Sequence, residues 1–183
     1  MYVLIPAYQP DARLPRLILE LHRADSAMRI VVVDDGSGEE YREIFDASRT
    51  AGAHVISYEG NRGKGYALRA GFTYIYEHAQ SLGINDCVVT ADADGQHTLV
   101  DIFRVGQACA MSNQSVLGVR EFVGHVPARS RIGNTATSGL FWLATGWKLK
   151  DTQTGLRAFP IDLLPTLIDI EGDRYEYELR VLL

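Results

Sequence analysis

Cys87-Val88-Val89-Thr90-Ala91-Asp92-Ala93-Asp94-Gly95-Gln96-His97 runs from an apolar stretch straight into an acidic turn. The first five residues read as a buried strand, and the two aspartates emerge where that strand runs out into a loop. In an α/β sheet, ligands bind at the carboxyl ends of the strands. Carboxylates this close repel each other unless a cation sits between them. Hard oxygen donors on an open loop suit Mg²⁺ or Mn²⁺ bridged to a substrate phosphate. An isolated Asp-x-Asp fits a solvated acidic turn equally well, so the surrounding chain has to decide.

Working outward, strand and helix signals alternate. Tyr2-Val3-Leu4-Ile5 is a short apolar strand that ends at Pro6, and Leu14 to Leu21 has helical spacing. Ile30-Val31-Val32-Val33 is the clearest buried parallel strand, and Asp34 ends its apolar run. A helix follows around Glu40 to Ala51, then a strand at His54 to Tyr58 and a long amphipathic helix from Gly65 to Leu82. After the strand at Cys87 to Ala91 come a helix from Leu99 to Met111 and a strand from Ser115 to Val119. This rhythm predicts an α/β fold with a mostly parallel sheet and helices on both faces.

The chain has 183 residues, 46% of them apolar and 22% charged, with a formal net charge of −5. That length suits one domain spanning residues 1–183. The acidic balance argues against a nucleic-acid partner. No apolar run reaches the ~18 residues of a membrane span. The N-terminus lacks the basic opening of a signal peptide. The two cysteines, Cys87 and Cys109, read as buried free thiols of a reducing, cytoplasmic setting. Glu176 to Leu183 is periodic with no Gly, Pro or polar tail to end it, so truncation at the C-terminus is expected.

Three further constellations support a ligand at the strand ends. Val33-Asp34-Asp35-Gly36-Ser37 places two acids after the best strand. One of them can accept hydrogen bonds from a nucleobase or ribose, although Asp and Ser also make good helix caps. Gly60-Asn61-Arg62-Gly63-Lys64-Gly65 joins a strand to a helix. Its spacing is that of neither a Walker A loop nor a dinucleotide fingerprint. Glycines, a helix N-terminus, Arg62 and Lys64 suggest a diphosphate neighbour, against a plain structural turn. Asp151-Thr152-Gln153-Thr154-Gly155-Leu156-Arg157 follows residues 122–150, which contain no Asp or Glu but do contain Arg129, Arg131, Lys148 and Lys150. That basic island encloses the apolar run Thr135 to Trp147. It reads as a site for an anionic, partly apolar partner or as a core helix with basic ends. No Ser-His-Asp or Cys-His arrangement and no zinc cluster stands out.

Ile5-Pro6-Ala7-Tyr8, the Asp34-Asp35 turn, Asn61-x-Gly63-Lys64-Gly65, Asp92 to His97 and Asp151 to Phe159 occur in the order of glycosyltransferase family 2. The chain resembles the polyprenyl-phosphate sugar synthases of that family. The resemblance implies the GT-A (nucleotide-diphospho-sugar transferase) fold, a UDP- or GDP-sugar donor, a divalent metal and inversion at the anomeric carbon. It implies that Pro6, Tyr8, Asp35, Lys64, Asp92 and Arg120 bind the nucleotide sugar. Asp94 and Gln96, with Asp92, are the implied metal ligands. Asp94 and Arg131 (Arg129 as the alternative) are implied in catalysis, and Asp151 is the candidate base for a hydroxyl acceptor. Many relatives carry Asn-Glu after the tyrosine where this chain has Gln9-Pro10. The expected acceptor is a polyprenyl phosphate met at the cytoplasmic face of a membrane, in cell-envelope synthesis. A saccharide or protein hydroxyl acceptor and a non-enzymatic nucleotide-sugar-binding module stay open.

Overall fold

The structure, a computed structural model, describes residues 1–119 and 154–182. Strands β1 (Tyr2–Ala7), β2 (Arg29–Asp34), β3 (Ala53–Ser57) and β4 (Cys87–Thr90) alternate with helices α1 (Arg13–Ala24), α2 (Arg42–Thr50), α3 (Lys64–Leu82) and α4 (Leu99–Ser112). Two short strands, β5 (Val116–Leu117) and β6 (Arg157–Pro160), complete a six-stranded sheet of order β3-β2-β1-β4-β6-β5. The pairs β3·β2, β2·β1 and β1·β4 are parallel. β6 runs antiparallel to both β4 and β5. Two small helices follow, Leu164–Asp169 and Tyr175–Arg180.

Strand alternation sorts the core into two layers. Val3, Ile5, Ile30, Val32 and Val89 pack with Leu14, Ile18 and Leu21 of α1, Phe45 of α2 and Ile102 of α4. Leu4, Val31, Val33 and Val88 pack on the other face with Leu68, Phe72 and Ile75 of α3 and with Phe159, Ile161, Leu164 and Tyr177. Helices therefore cover both faces, as the periodicity predicts.

The elements differ from the sequence reading at several points, of which these bear on the site. β1 continues past Pro6 to Ala7, because Pro6 still pairs with Val33 of β2. On its other side the β1·β4 ladder ends at Leu4↔Thr90, where a proline has no N–H to give. The fifth strand shrinks to Val116–Leu117. A further strand, β6, which the sequence reading does not contain, starts at the last residue of the Asp151–Arg157 motif, and its four residues are all buried. Cys87 and Cys109 are buried free thiols, and burial pushes the Cys87 thiol up to about 12. Among the described residues, no helix is long and apolar enough to cross a membrane.

α3 sits close to β1 because Gly71 has no side chain. A Cβ there would come within 2.2 Å of Leu4 Cδ1, and Leu4 is fully buried. Gly71→Ala is expected to lower the unfolding free energy by about 1–3 kcal/mol in urea titration.

Candidate functional site

β2 and β3 lie on one side of β1 and β4 on the other, so the connection reverses between β1 and β4. Open α/β sheets bind ligands at such a switch point. Pro6 ends the β1·β4 ladder there, and the strand ends open into a cleft. Its walls are Pro6, Ala7, Tyr8, Asp35, Asn61, Gly63, Lys64, Ala67, Asp92, Arg174 and Tyr175, enclosing about 730 Å³ that is open to solvent at its mouth. Five of the sequence-predicted residues thus meet in one place: Pro6, Tyr8, Asp35, Lys64 and Asp92.

Asp35 is held on β2's extension by Asp35 N–H donating to Ala7 O at 2.9 Å. Its carboxylate is 3% exposed and faces its own chain. Oδ1 accepts from the Tyr58 hydroxyl at 2.8 Å and from Arg62 N–H at 2.8 Å, and Oδ2 accepts from Gly63 N–H at 2.9 Å. Burial and the bond to Asp35 push the Tyr58 phenol well above its ordinary value. Gly63 is the residue before α3, so the anion that the helix start favours is supplied by Asp35. Asp34 Oδ1 accepts from Ser37 N–H at 2.9 Å, and Ser37 Oγ accepts from Gln9 N–H at 2.8 Å. That last bond anchors Gln9, whose φ is +50°, beside Tyr8.

The glycines of the third motif also answer to this chain. A Cβ on Gly63 would fall 2.3 Å from Asp173 O, and one on Gly65 would fall 2.5 Å from Tyr177 Cβ. Both make room for the segment around the helix Tyr175–Arg180. The Arg62 guanidinium donates to the Tyr66 hydroxyl at 2.7 Å and stacks 4.8 Å from that ring's centroid.

At the end of β4 the two aspartates part company. Asp92 Oδ1 accepts from Lys64 Nζ at 2.7 Å, and Asp92 Oδ2 lies 3.2 Å from Nε2 of the buried His97. Burial works against the Asp92 charge, but His97 and Lys64 outweigh it and hold the carboxyl well below the usual range. Lys64 Nζ also pairs with Glu178 Oε1 at 3.0 Å. Burial alone would push the ammonium down, yet Glu178 and Asp92 hold it above its ordinary value. Asp94 is half-buried, makes no ion pair among the described residues, and accepts Gln96 N–H at 3.0 Å. No group of three His, Cys, Asp or Glu among the described residues is placed to cage a metal. Mg²⁺ and Mn²⁺ are commonly held by one or two carboxylates plus substrate phosphates, so Asp94 fits a substrate-bridged ion.

Glu178, Arg174, Tyr175 and Gly155 escaped the sequence reading as site residues. A Cβ on Gly155 would lie 2.3 Å from Asp92 Oδ2, so the absence of a side chain there lets the chain pass directly against that carboxylate. The signal available was the position of Gly155 inside a motif already singled out. Arg120, Arg129, Arg131 and Asp151 lie outside the described residues.

A switch-point cleft walled by strand-end acids is where open α/β folds take their ligands. The model of glycosyl transferase family 2 matches residues 2–154, and the chain belongs to that family. It is 32% identical over 199 residues to a UDP-N-acetylglucosamine–dolichyl-phosphate N-acetylglucosaminyltransferase of Methanococcus voltae, covering 96% of this chain and 76% of that one. It is 28% identical to the polyprenol monophosphomannose synthase of Mycolicibacterium smegmatis, covering 97% of this chain and 69% of that one. Among solved structures, a mycobacterial protein superposes with a TM-score of 0.67 at 19% identity, covering 99% of this chain and 59% of that one. A mannosyltransferase of Pyrobaculum calidifontis, in complex with GDP-Man and Mn²⁺, superposes with a TM-score of 0.54 at 17% identity. That match covers 94% of this chain and 48% of the other. The fold is GT-A.

Asp35→Ala removes the acceptor of the Arg62 and Gly63 N–H groups and of the Tyr58 hydroxyl. It is expected to cost about 3 kcal/mol of stability, because the donors it leaves are partly or fully buried. Urea unfolding of the variant measures this directly.

Proposed function

We propose that the chain is the catalytic domain of an inverting, metal-dependent glycosyltransferase that moves a sugar from a nucleotide-sugar donor to a polyprenyl phosphate. The observation that carries the donor half is the switch-point cleft, with Asp35 and Asp92 in its walls and Asp94 two residues beyond Asp92 on the same loop. Pro6, Tyr8 and Asp35 form the nucleoside end. Asp92 meets the nucleotide, its orientation fixed by Lys64 on one oxygen and His97 on the other. Asp94, with Gln96, holds the divalent cation against the donor diphosphate. A cation held there offsets the negative charge that builds on the leaving diphosphate.

The acceptor half is supported by the relatives' names, which specify dolichyl phosphate, polyprenol and undecaprenyl phosphate. It is supported also by the basic sequence of residues 122–150; on this reading Arg131 binds the lipid phosphate and Arg120 the donor phosphates. A phosphate acceptor needs no protein base, since its second pKa is about 6 and it is largely ionised already. A hydroxyl acceptor would need one, and Asp151 would take that part. Contact with a membrane surface follows from a lipid acceptor, held by charge and some apolar area.

Asp94→Asn keeps the shape and removes one charge. Mn²⁺-dependent transfer is expected to fall by about 100-fold or more, with an unchanged melting temperature in the absence of ligand. Undiminished Mn²⁺-dependent turnover would remove Asp94 from the metal. Arg131→Ala is expected to raise the KM for polyprenyl phosphate while leaving donor affinity, titrated separately by calorimetry, within about twofold. Equal losses in both quantities would move Arg131, or Arg129 if it shows the same pattern, to the donor diphosphate. Transfer to a saccharide in the absence of lipid, abolished in Asp151→Asn, would replace the acceptor assignment.

A further inference from the structure

The donor reading leaves one buried carboxylate without a task. Glu178 sits in the helix Tyr175–Arg180 with its side chain 12% exposed, and its Oε1 lies 3.0 Å from Lys64 Nζ. Lys64 already neutralises Asp92 at 2.7 Å. Three groups therefore share one positive and two negative formal charges. Burying a carboxylate is costly unless it is paired. Fastening the helix does not call for it. Tyr177 donates its hydroxyl to Leu167 O at 2.7 Å, Arg157 Nη1 donates to Glu178 O at 2.7 Å, and the helix start packs tightly on Gly65.

The same contacts close a ring. Arg157, whose Nη1 holds the Glu178 carbonyl, donates through Nε to Thr154 O at 3.0 Å. The next residue, Gly155, lies against the Asp92 carboxylate and accepts the Thr90 hydroxyl at 2.8 Å through its carbonyl. From Asp92 the ring returns through Lys64 to Glu178. The start of α3, the end of β4, the start of β6 and the helix Tyr175–Arg180 are thus joined in one ring, in which the Lys64 ammonium pairs with both carboxylates.

We propose that Glu178 is a positioning residue of the donor site: it holds the Lys64 ammonium against Asp92 and so fixes the carboxylate that meets the nucleotide. Lys64 bound by two carboxylates is a strut and not a spare cation for the diphosphate. Glu178 acts only through Lys64. This rests on the donor reading above.

The test is a kinetic cycle on the full chain, with UDP- and GDP-sugars, Mn²⁺ and a polyprenyl phosphate. Glu178→Gln is expected to lower kcat about tenfold or more, with a melting temperature close to that of the wild type, because Asp92 loses its fixed geometry. In a Lys64→Met background the same substitution is expected to cost no further activity, the pattern of groups acting as one unit. Glu178→Asp, which keeps the charge, is expected to recover part of the rate. Costs that multiply in the double variant, or a loss that merely follows the melting temperature, overturn the assignment while the donor reading stands. A wild-type chain that turns over none of these sugars overturns the donor reading and this assignment together.

Discussion

Every side chain of the candidate site depends on the pairing of β1 with β2 on one side and β4 on the other. The register Ala7↔Asp34 brings the ends of β1 and β2 level, and Leu4↔Thr90 ends β4 earlier along β1, so that its acidic loop starts beside Pro6. Backbone bonds from Asp35 N to Ala7 O and from Ala91 N to Leu4 O carry that alignment past the last strand residues. Pro6 then lets β1 and β4 part. The apolar layers on both faces make the register hard to shift, since a slip by one residue would turn Val3 and Ile5 out of their layer and Leu4 into it.

On this frame the acids of the cleft have different electrostatic settings. Asp35 lines the cleft while its carboxylate takes hydrogen bonds from its own chain and fixes the loop before α3. Asp92 is held ionised by two partners, although it is largely withdrawn from water. Asp94 makes no such pair among the described residues. An Asp-x-Asp sequence looks symmetrical, but the fold gives one aspartate an ammonium and an imidazole as partners and leaves the next without an ion pair among the described residues.

Much of this was legible in the sequence, for identifiable reasons. Ile30 to Val33 is buried on both faces, so its apolar run announces a parallel strand. α1 shows its buried stripe at Leu14, Leu17, Ile18 and Leu21. The strand-end acids could be placed because the apolar runs before them are uninterrupted. β6 could not be read, because four residues following a polar motif carry no period. Its partner is set by topology. The roles of the glycines were open for a similar reason. Close approach to a phosphate and close approach to Asp173 or Tyr177 ask the same thing of the chain: the absence of a Cβ. Glu178 was invisible as a site residue, since nothing local says that a short late helix faces the start of α3.

The antiparallel docking of β6 also sets an order of assembly. β4 is buried throughout, and its outer edge is paired by a strand that arrives much later; Thr90 and Gly155 are 65 positions apart. During synthesis the parallel half of the sheet can pair while Cys87–Thr90 still presents an unpaired edge. Such an edge is a template for any other extended chain nearby. Closing so long a loop costs entropy before any contact repays it. The interval between the emergence of β4 and that of β6 is therefore one in which this edge is open to mispairing.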